Sequence, residues 1–290
     1  MQYEGDIYRP PSEAHSLIVQ ATIGCTHNGC TFCPAYKAKS FRLKPFDAVL
    51  DDFRQARSYY RQVGRIFIAD GDALCMSTAK FLEILGAIRE IFPECQRVGT
   101  YSRASHILSK STDDLAALRD AGLGIIYIGA ESGSDEVLRR VNKGETSANI
   151  IASVRKSESA GIPTSVTFIL GLGGKELMTE HAVKTGEMIS AMGASYVGLL
   201  TLVLTPMTPI LADVQSGKFT RLTPLETVEE QEIILENSYC DSETILRSNH
   251  ASNWLVLKGT LPYDKDRMLR QIRDAKADTS VLRVGGGRSL

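Results

Sequence analysis

The 290-residue chain has no run approaching the roughly 20 apolar residues that span a bilayer, and no early basic stretch followed by an apolar core of the kind that directs secretion. It has no charge excess either: 33 Lys and Arg stand against 34 Asp and Glu, for a net charge of -1. Such a chain has no field that would gather polyanions at a distance, so nucleic-acid binding is not expected. Nor does it have the low hydrophobicity of a disordered protein, with 43% hydrophobic and 23% charged residues. The expected location is the cytoplasm, with no membrane partner. Thiols stay reduced there, so clustered cysteines point to metal or catalysis rather than to disulfides.

What is present is a rhythm. Six apolar, β-branched runs recur: Ser16 to Gly24, Arg65 to Asp70, Arg97 to Ser102, Gly124 to Ser132, Ser165 to Leu172 and Tyr196 to Leu204. Segments between them carry apolar residues at helical spacing, as in FDAVLDDFRQARSYY and TAKFLEILGAIREIF. Thr112 and Ser147 stand where helix N-caps are wanted, and Gly122 and Gly161 where a left-handed residue closes a helix. Alternation of strand and helix predicts parallel strands with right-handed crossovers, in one large α/β domain or two smaller ones. The rhythm ends near residue 205. Beyond it, TVEEQEIILEN and DKDRMLRQIRDAKAD read as helices, ILRSNHASNWLVLKGTLP as mixed structure and VGGGRSL as a loose tail.

Three of the six cysteines fall within nine residues, CTHNGCTFC from Cys25 to Cys33, in the loop leaving the first strand. Parallel α/β folds put their chemistry at that edge of the sheet. The spacing is C-x4-C-x2-C, with no fourth cysteine nearby. Two metal readings follow. A zinc site wants four ligands in closed tetrahedral geometry and can recruit His27 as the fourth. A four-iron cluster on three cysteines leaves one iron open to a substrate or cofactor, which explains why the set stops at three. Gly24 and Gly29 let the loop bend around a bulky group, and Phe32 gives the last ligand an apolar flank.

A strand-end motif with an aromatic before its last cysteine resembles that of the radical S-adenosylmethionine (radical SAM) enzymes, most of which have C-x3-C-x2-C. Here the first gap is one residue longer. Further segments are similar, in order. ADGDALC, at the end of the second strand, resembles the family's glycine-rich loop; the resemblance implies that Gly71 lets the backbone approach the methionine amino group and that Asp72 accepts from it. GAESGSDEVLRRVNKG resembles a segment of the branch containing oxygen-independent coproporphyrinogen oxidases, methylthiotransferases and elongator-type enzymes. By that likeness Glu131 meets the ribose hydroxyls and Lys143 the methionine carboxylate. TFILGLGG is similar to that branch's cofactor-flanking stretch, with Thr167 where an acid often stands, and Leu200 of the sixth strand would pack on the adenine.

The resemblance implies a partial TIM barrel: a (β/α)6 parallel-strand radical SAM core over residues 16–205, after a lead-in of residues 1–15 too small to be a further module. A small C-terminal α-rich extension, 206–283, would cover the barrel mouth, and 284–290 would be a flexible tail. It implies a [4Fe-4S] cluster on Cys25, Cys30 and Cys33, S-adenosylmethionine as cofactor, and a flavodoxin- or ferredoxin-type electron donor. One electron would cleave S-adenosylmethionine to a 5′-deoxyadenosyl radical, which abstracts hydrogen from a bound small molecule in an oxygen-sensitive enzyme.

Substrate-side candidates lie at strand ends and in the C-terminal segment. Tyr101 and Arg103 end the third strand, the arginine suited to a carboxylate or phosphate. RSNHASN, Arg247 to Asn253, reads as a lid whose His250 or Arg247 donates to substrate. Cys75, Cys95 and Cys240 are scattered, which disfavours an auxiliary cluster and with it sulfur insertion. Three readings stand at this point. The first is hydrogen abstraction from a small molecule; the second is sulfur or methylthio insertion with a partner's auxiliary cluster; the third is a non-enzymatic zinc-binding α/β module.

Overall fold

The structure, a computed structural model, describes residues 1–283. The segment 284–290, expected as a flexible tail, lies outside the described residues. In class the protein is α/β, with a mostly parallel sheet of eight strands. The chain divides into two compact units. One comprises Met1–Asn28, Ala35–Ile128 and Lys156–Thr164; the other comprises Gly29–Pro34, Gly129–Arg155 and the chain from Ser165 on.

The first unit follows the expected rhythm: β1 (Leu17–Gln20), a short hairpin of β2 (Thr22–Ile23) and β3 (Arg42–Leu43), α1 (Phe46–Tyr59), β4 (Arg65–Ala69), α2 (Thr78–Ile91), β5 (Arg97–Tyr101), α3 (Ala104–Leu108), α4 (Thr112–Asp120) and β6 (Leu123–Glu131). The parallel pairs run in register from Leu17 opposite Ile66 and from Arg65 opposite Arg97. Helix α1 forms because Val49, Phe53 and Ala56 recur on one face, and that face is buried. The α4 cap lies one residue before the expected Thr112: the Ser111 hydroxyl accepts from Asp114 N–H, and Asp114 returns the bond in a capping box. The lead-in is bound to the unit. Glu13, fully buried, accepts from the Tyr127 hydroxyl and the Arg97 guanidinium, both at 2.5 Å.

The second unit continues with α5 (Asp135–Arg140), α6 (Ser147–Ser159, whose last turn belongs to the first unit), β7 (Thr164–Leu170), α7 (Met178–Met192), β8 (Tyr196–Thr201), α8 (Pro209–Gln215), α9 (Pro224–Glu236), β9 (Thr244–Ser248), β10 (Leu257–Leu261) and α10 (Lys265–Ala277). Here too the cap precedes the expected residue, since Asn149 N–H reaches Thr146 Oγ1 rather than Ser147. The mixed segment after residue 243 resolves into two strands. β9 pairs in parallel with β8, Tyr196 opposite Ile245, and β10 returns antiparallel to β9. Among the described residues no helix is long and apolar enough to cross a membrane.

Helices α7 and α9 touch at Gly186, where an added Cβ would lie 2.5 Å from the Ile234 carbonyl oxygen. Glycine to alanine inside a helix ordinarily stabilises by about 1 kcal/mol. The clash outweighs that gain, because backbone cannot swing aside as a side-chain tip can. Gly186→Ala is therefore expected to destabilise the protein by roughly 1–3 kcal/mol, read from the urea midpoint; an unchanged or raised midpoint would refute the contact.

Candidate active site

In the first unit two buried aspartates follow β4. Asp70 Oδ2 accepts from Lys39 Nζ (2.9 Å), Gln20 Nε2 (3.1 Å) and the Gly24 N–H (2.9 Å). Gly24 precedes Cys25, so this carboxylate fixes where the cysteine loop begins. Asp72 accepts from the Thr26 hydroxyl and the Arg103 N–H (3.1 Å), and meets His106 Nδ1 at 2.7 Å. With these donors already in place Asp72 braces the residue after Cys25 and has little left for an ammonium group. What approaches Gly71 is the Tyr36 ring, 2.5 Å from where a Cβ would stand.

Tyr101 packs edge-on to Phe67 (centroids 5.0 Å apart) and Tyr127 (6.0 Å), and Arg103 starts α3. Burial, then Asp72, pushes the Cys75 thiol up to about 12, which leaves it unreactive at neutral pH. The longer cysteine gap is taken up at Asn28. Its φ is 43°, and its side-chain amide donates to the Tyr36 and Lys39 carbonyls at 2.7 and 3.2 Å.

Cys30 and Cys33 belong to the second unit, joined to Cys25 by continuous chain. They pack against Phe32 in an apolar cluster with Val137, Val141 and Leu172. Thr31 N–H donates to the Val141 carbonyl (2.9 Å), and the Asn142 side chain to that of Gly29 (3.0 Å). All three cysteines are partly exposed and none forms a disulfide. Among the described residues no three His, Cys, Asp or Glu side chains converge on a single-ion site.

Glu131 ends β6 with a φ of 68°, and Lys143 Nζ bonds its Oε1 at 2.9 Å, both side chains being mostly buried. The two expected cofactor contacts are thus brought together. Gly129 makes room for them: a Cβ there would lie 2.2 Å from Glu131 Oε1 and 3.2 Å from Lys143 Nζ. On β7 and β8 burial alternates, with Val166, Phe168, Val197 and Leu199 buried and Thr167, Ile169, Gly198 and Leu200 partly open. Thr167 and Leu200 therefore share the open face, each 3.8 Å from a Cβ built on Gly198. Beyond the strand ends Gly171, Thr201, Leu202, Arg221 and Trp254 line a pocket whose enclosed part is about 20 Å³.

The RSNHASN segment is not a free lid. Ser252 Oγ accepts from Thr201 N–H (3.0 Å), and Asn253 Nδ2 donates to the Leu199 carbonyl and to Ser248 Oγ (both 2.7 Å), with Ser252 and Asn253 buried. These side chains satisfy backbone at the end of β8. His250 Nδ1 accepts from Ser252 N–H (3.1 Å), so that nitrogen is turned inward, and burial lowers the ring's pKa.

Residues 19–185 match the profile of the Radical SAM superfamily, more than half of the chain. The chain belongs to that superfamily. It is therefore an enzyme, and the reading as a non-enzymatic zinc module falls. The tRNA-2-methylthio-N(6)-dimethylallyladenosine synthase of Chlorobium phaeobacteroides is 27% identical over 58% of this chain and 38% of its own. Among solved structures, the radical S-adenosylmethionine methyltransferase TsrM of Kitasatospora setae, with tryptophan and a SAM analog bound, superposes with a TM-score of 0.56 at 20% identity, over 71% of this chain and 39% of that one. Coproporphyrinogen III oxidase (HemN) of Escherichia coli gives 0.56 at 20% identity, over 76% and 52%. At these identities the likeness shows the fold, a partial TIM barrel of the radical SAM class. The chain spans between 23% and 56% of the length of the curated relatives it matches.

The residues present fit the family's cofactors, a [4Fe-4S] cluster and S-adenosylmethionine. A cluster takes one thiolate at each of three irons, so its ligands need not converge as those of a single ion must. The Glu131–Lys143 pair offers an acceptor for hydroxyls and a cation for a carboxylate, over a glycine whose missing side chain leaves their space.

Sequence reading missed Asp70, His106, His181 and Glu230. Asp70 and Asp72 share one short motif, and nothing in it says which would be consumed by Lys39. His181 and Glu230 are both fully buried, with His181 Nε2 3.9 Å from Glu230 Oε1. Burial pulls His181 from its ordinary 6.5 down to about 4 and pushes Glu230 from 4.5 up to about 8. Between pH 4.5 and 6.5 the folded protein keeps a proton on Glu230 that the unfolded chain loses, and lacks one on His181 that the unfolded chain holds. Those two slopes cancel. From pH 6.5 to about 8 only Glu230 differs, the folded state holds the extra proton, and stability falls by up to about 1.4 kcal/mol per pH unit. Glu230→Gln should abolish that fall and leave the rise from about pH 4 to 6.5 that His181 causes. Unfolding midpoints measured across pH 4 to 8 on both proteins check this, and parallel curves above pH 6.5 would count against it.

Proposed function

We propose that this radical SAM enzyme binds a [4Fe-4S] cluster through the thiolates of Cys25, Cys30 and Cys33, holds S-adenosylmethionine with Glu131 and Lys143, and abstracts hydrogen from a small-molecule substrate. The observation that carries the reading is the Glu131–Lys143 pair, poised over Gly129 at the end of β6. When bound, the cofactors supply one-electron cleavage of a carbon–sulfur bond and hydrogen-atom abstraction, with the electron coming from a flavodoxin- or ferredoxin-type donor.

The chain's own part is to bind and orient. With the cofactor bound, Lys143 Nζ would meet the methionine carboxylate and Glu131 would accept from a ribose hydroxyl. Gly71, against the Tyr36 ring, would leave its backbone open toward the amino group. Phe32 keeps the flank of Cys30 and Cys33 apolar and excludes water. Thr167 and Leu200 present the open face of β7 and β8 to the adenine side. Tyr101, Arg103 and His250 are the candidates for contact with the substrate. Residues 16–205 form the catalytic core and 206–283 its extension. Hydrogen abstraction is favoured over sulfur insertion because Cys75, Cys95 and Cys240 are separate thiols, each raised in pKa chiefly by burial, rather than a second ligand set.

After anaerobic reconstitution with iron and sulfide, Cys30→Ala should lose the cluster and all formation of 5′-deoxyadenosine. Retained cleavage would show the ligands to be misassigned. Glu131→Ala should keep its iron content while binding S-adenosylmethionine roughly tenfold more weakly, the scale of one charge-assisted contact. Equilibrium dialysis measures it, and an unchanged affinity removes Glu131 from the site.

A further inference from the structure

The first unit contains an open cleft of about 360 Å³, at the opposite end of β1 and β4 from the cysteine loop. It lies beside Leu17, where β1 begins, and Arg65, where β4 begins. Tyr3, Arg9, His15, Tyr60 and Gly64 also stand in its wall. The Tyr3 hydroxyl donates to the Ile18 carbonyl at 2.6 Å, which ties that part of the wall to β1. Burial, then Asp52 and Tyr60, push the Tyr3 phenol up in pKa and the Arg9 guanidinium opposes them, so these groups stand close together. A Cβ added at Gly64 would meet nothing within 4 Å, and the wall is open there.

The lining holds Arg9, His15 and Arg65 but no Asp or Glu, in a chain whose 33 basic and 34 acidic residues nearly balance. Carboxylates elsewhere in the unit are already engaged. Glu13 takes Arg97, which stands opposite Arg65 across the β4–β5 pair, Glu94 takes Arg57, and Asp52 takes Lys44. Among the described residues neither Arg9 nor Arg65 has a carboxylate partner. One exposed arginine needs none, because water solvates it. Two guanidiniums and an imidazole around one cleft, with no acid in its wall, leave a local positive field that a bound anion neutralises.

We propose that this cleft binds a small organic phosphomonoester, its phosphoryl group held by Arg9 and Arg65 and its organic part lying along Tyr3 and Tyr60. Charge and size select that class. A phosphomonoester carries about -1.5 to -2 at neutral pH, which two guanidiniums balance, whereas a carboxylate carries a single charge. Guanidinium forks meet phosphoryl oxygens through paired hydrogen bonds. The cleft falls within the roughly 300–1,000 Å³ of small-molecule sites, so an inorganic ion alone would leave most of it to water. Tyr3 and Tyr60, 43% and 50% exposed, offer ring surface to the organic part, and His15 adds a donor. Parallel α/β folds carry their chemistry at the other ends of the strands. A molecule held here is therefore a second ligand, separate from the one that reacts.

The test is calorimetric titration of the reconstituted full-length protein with phenyl phosphate, which has no adenosine and so does not mimic S-adenosylmethionine. It should bind with a Kd below about 1 mM, inorganic phosphate at least about tenfold more weakly, and phenol not measurably. Arg9→Ala and Arg65→Ala should each weaken phenyl phosphate binding about tenfold, the scale of one charge-assisted contact. Gly64→Leu, which keeps both cations but fills the open wall, should do the same. Arg61→Ala removes a nearby exposed arginine outside the lining and should leave the affinity unchanged. All four positions are exposed, where substitutions ordinarily change stability little. Absence of phenyl phosphate binding, equal affinity for inorganic phosphate, full affinity in Arg9→Ala, Arg65→Ala or Gly64→Leu, or an equal loss in Arg61→Ala would each overturn the proposal. None of these readings depends on how S-adenosylmethionine is held.

Discussion

A carboxylate buried at the end of a parallel strand must find donors or give up its charge, and much of this site follows from how each one solves that problem. At Asp70 the donors are supplied, since Lys39, Gln20 and the Gly24 N–H all converge on one oxygen. The lysine comes from the far side of the cysteine loop, so the ion pair closes that loop at its base. Asp72 does the same two residues on, reaching Thr26 and the start of α3. The beginning of the cysteine loop is thereby held by two carboxylates outside the loop.

In the second unit the solutions differ. Glu131 is paired with Lys143, and its strand end is carried on α7 through Ser132, Gly133 and Ser134. Glu230 has no cation beside it, and burial pushes its pKa up to about 8. Helix α7 is fixed in turn against α9 at Gly186, where backbone meets backbone. Glu131 is thus mounted on helix packing, which is stiff, with a lysine as its partner.

Much of this was legible in the sequence. The six strand runs correspond to β1, β4, β5, β6, β7 and β8, because parallel strands covered by helices write themselves as apolar, β-branched segments. Glu131 and Lys143 were found as separate contacts, twelve residues apart, and the structure bonds them. The two strands after residue 243 were hidden by the polar run between them, whose serines and asparagines look like a solvated loop yet are consumed by the end of β8. Caps slipped by one residue at Ser111 and Thr146, since adjacent hydroxyl residues compete for one role. Buried pairs such as His181 and Glu230 were invisible, because forty-nine residues separate them and neither sits in a motif.

The longer gap in the cysteine motif has a local physical cause. One more residue between Cys25 and Cys30 would push the second thiol along the loop unless the chain doubled back, and a left-handed residue does that within a single position. Asn28 is among the few side chains that adopt φ of 43° at low cost, and its amide bonds the Tyr36 and Lys39 carbonyls on the returning strand of the loop. Lys39 is the residue whose ammonium pairs with Asp70. The extra residue is therefore tied into the same ion pair that closes the loop, so a motif that looks irregular by its spacing is regular in what it must do, which is to hold three thiols on a loop with a fixed base.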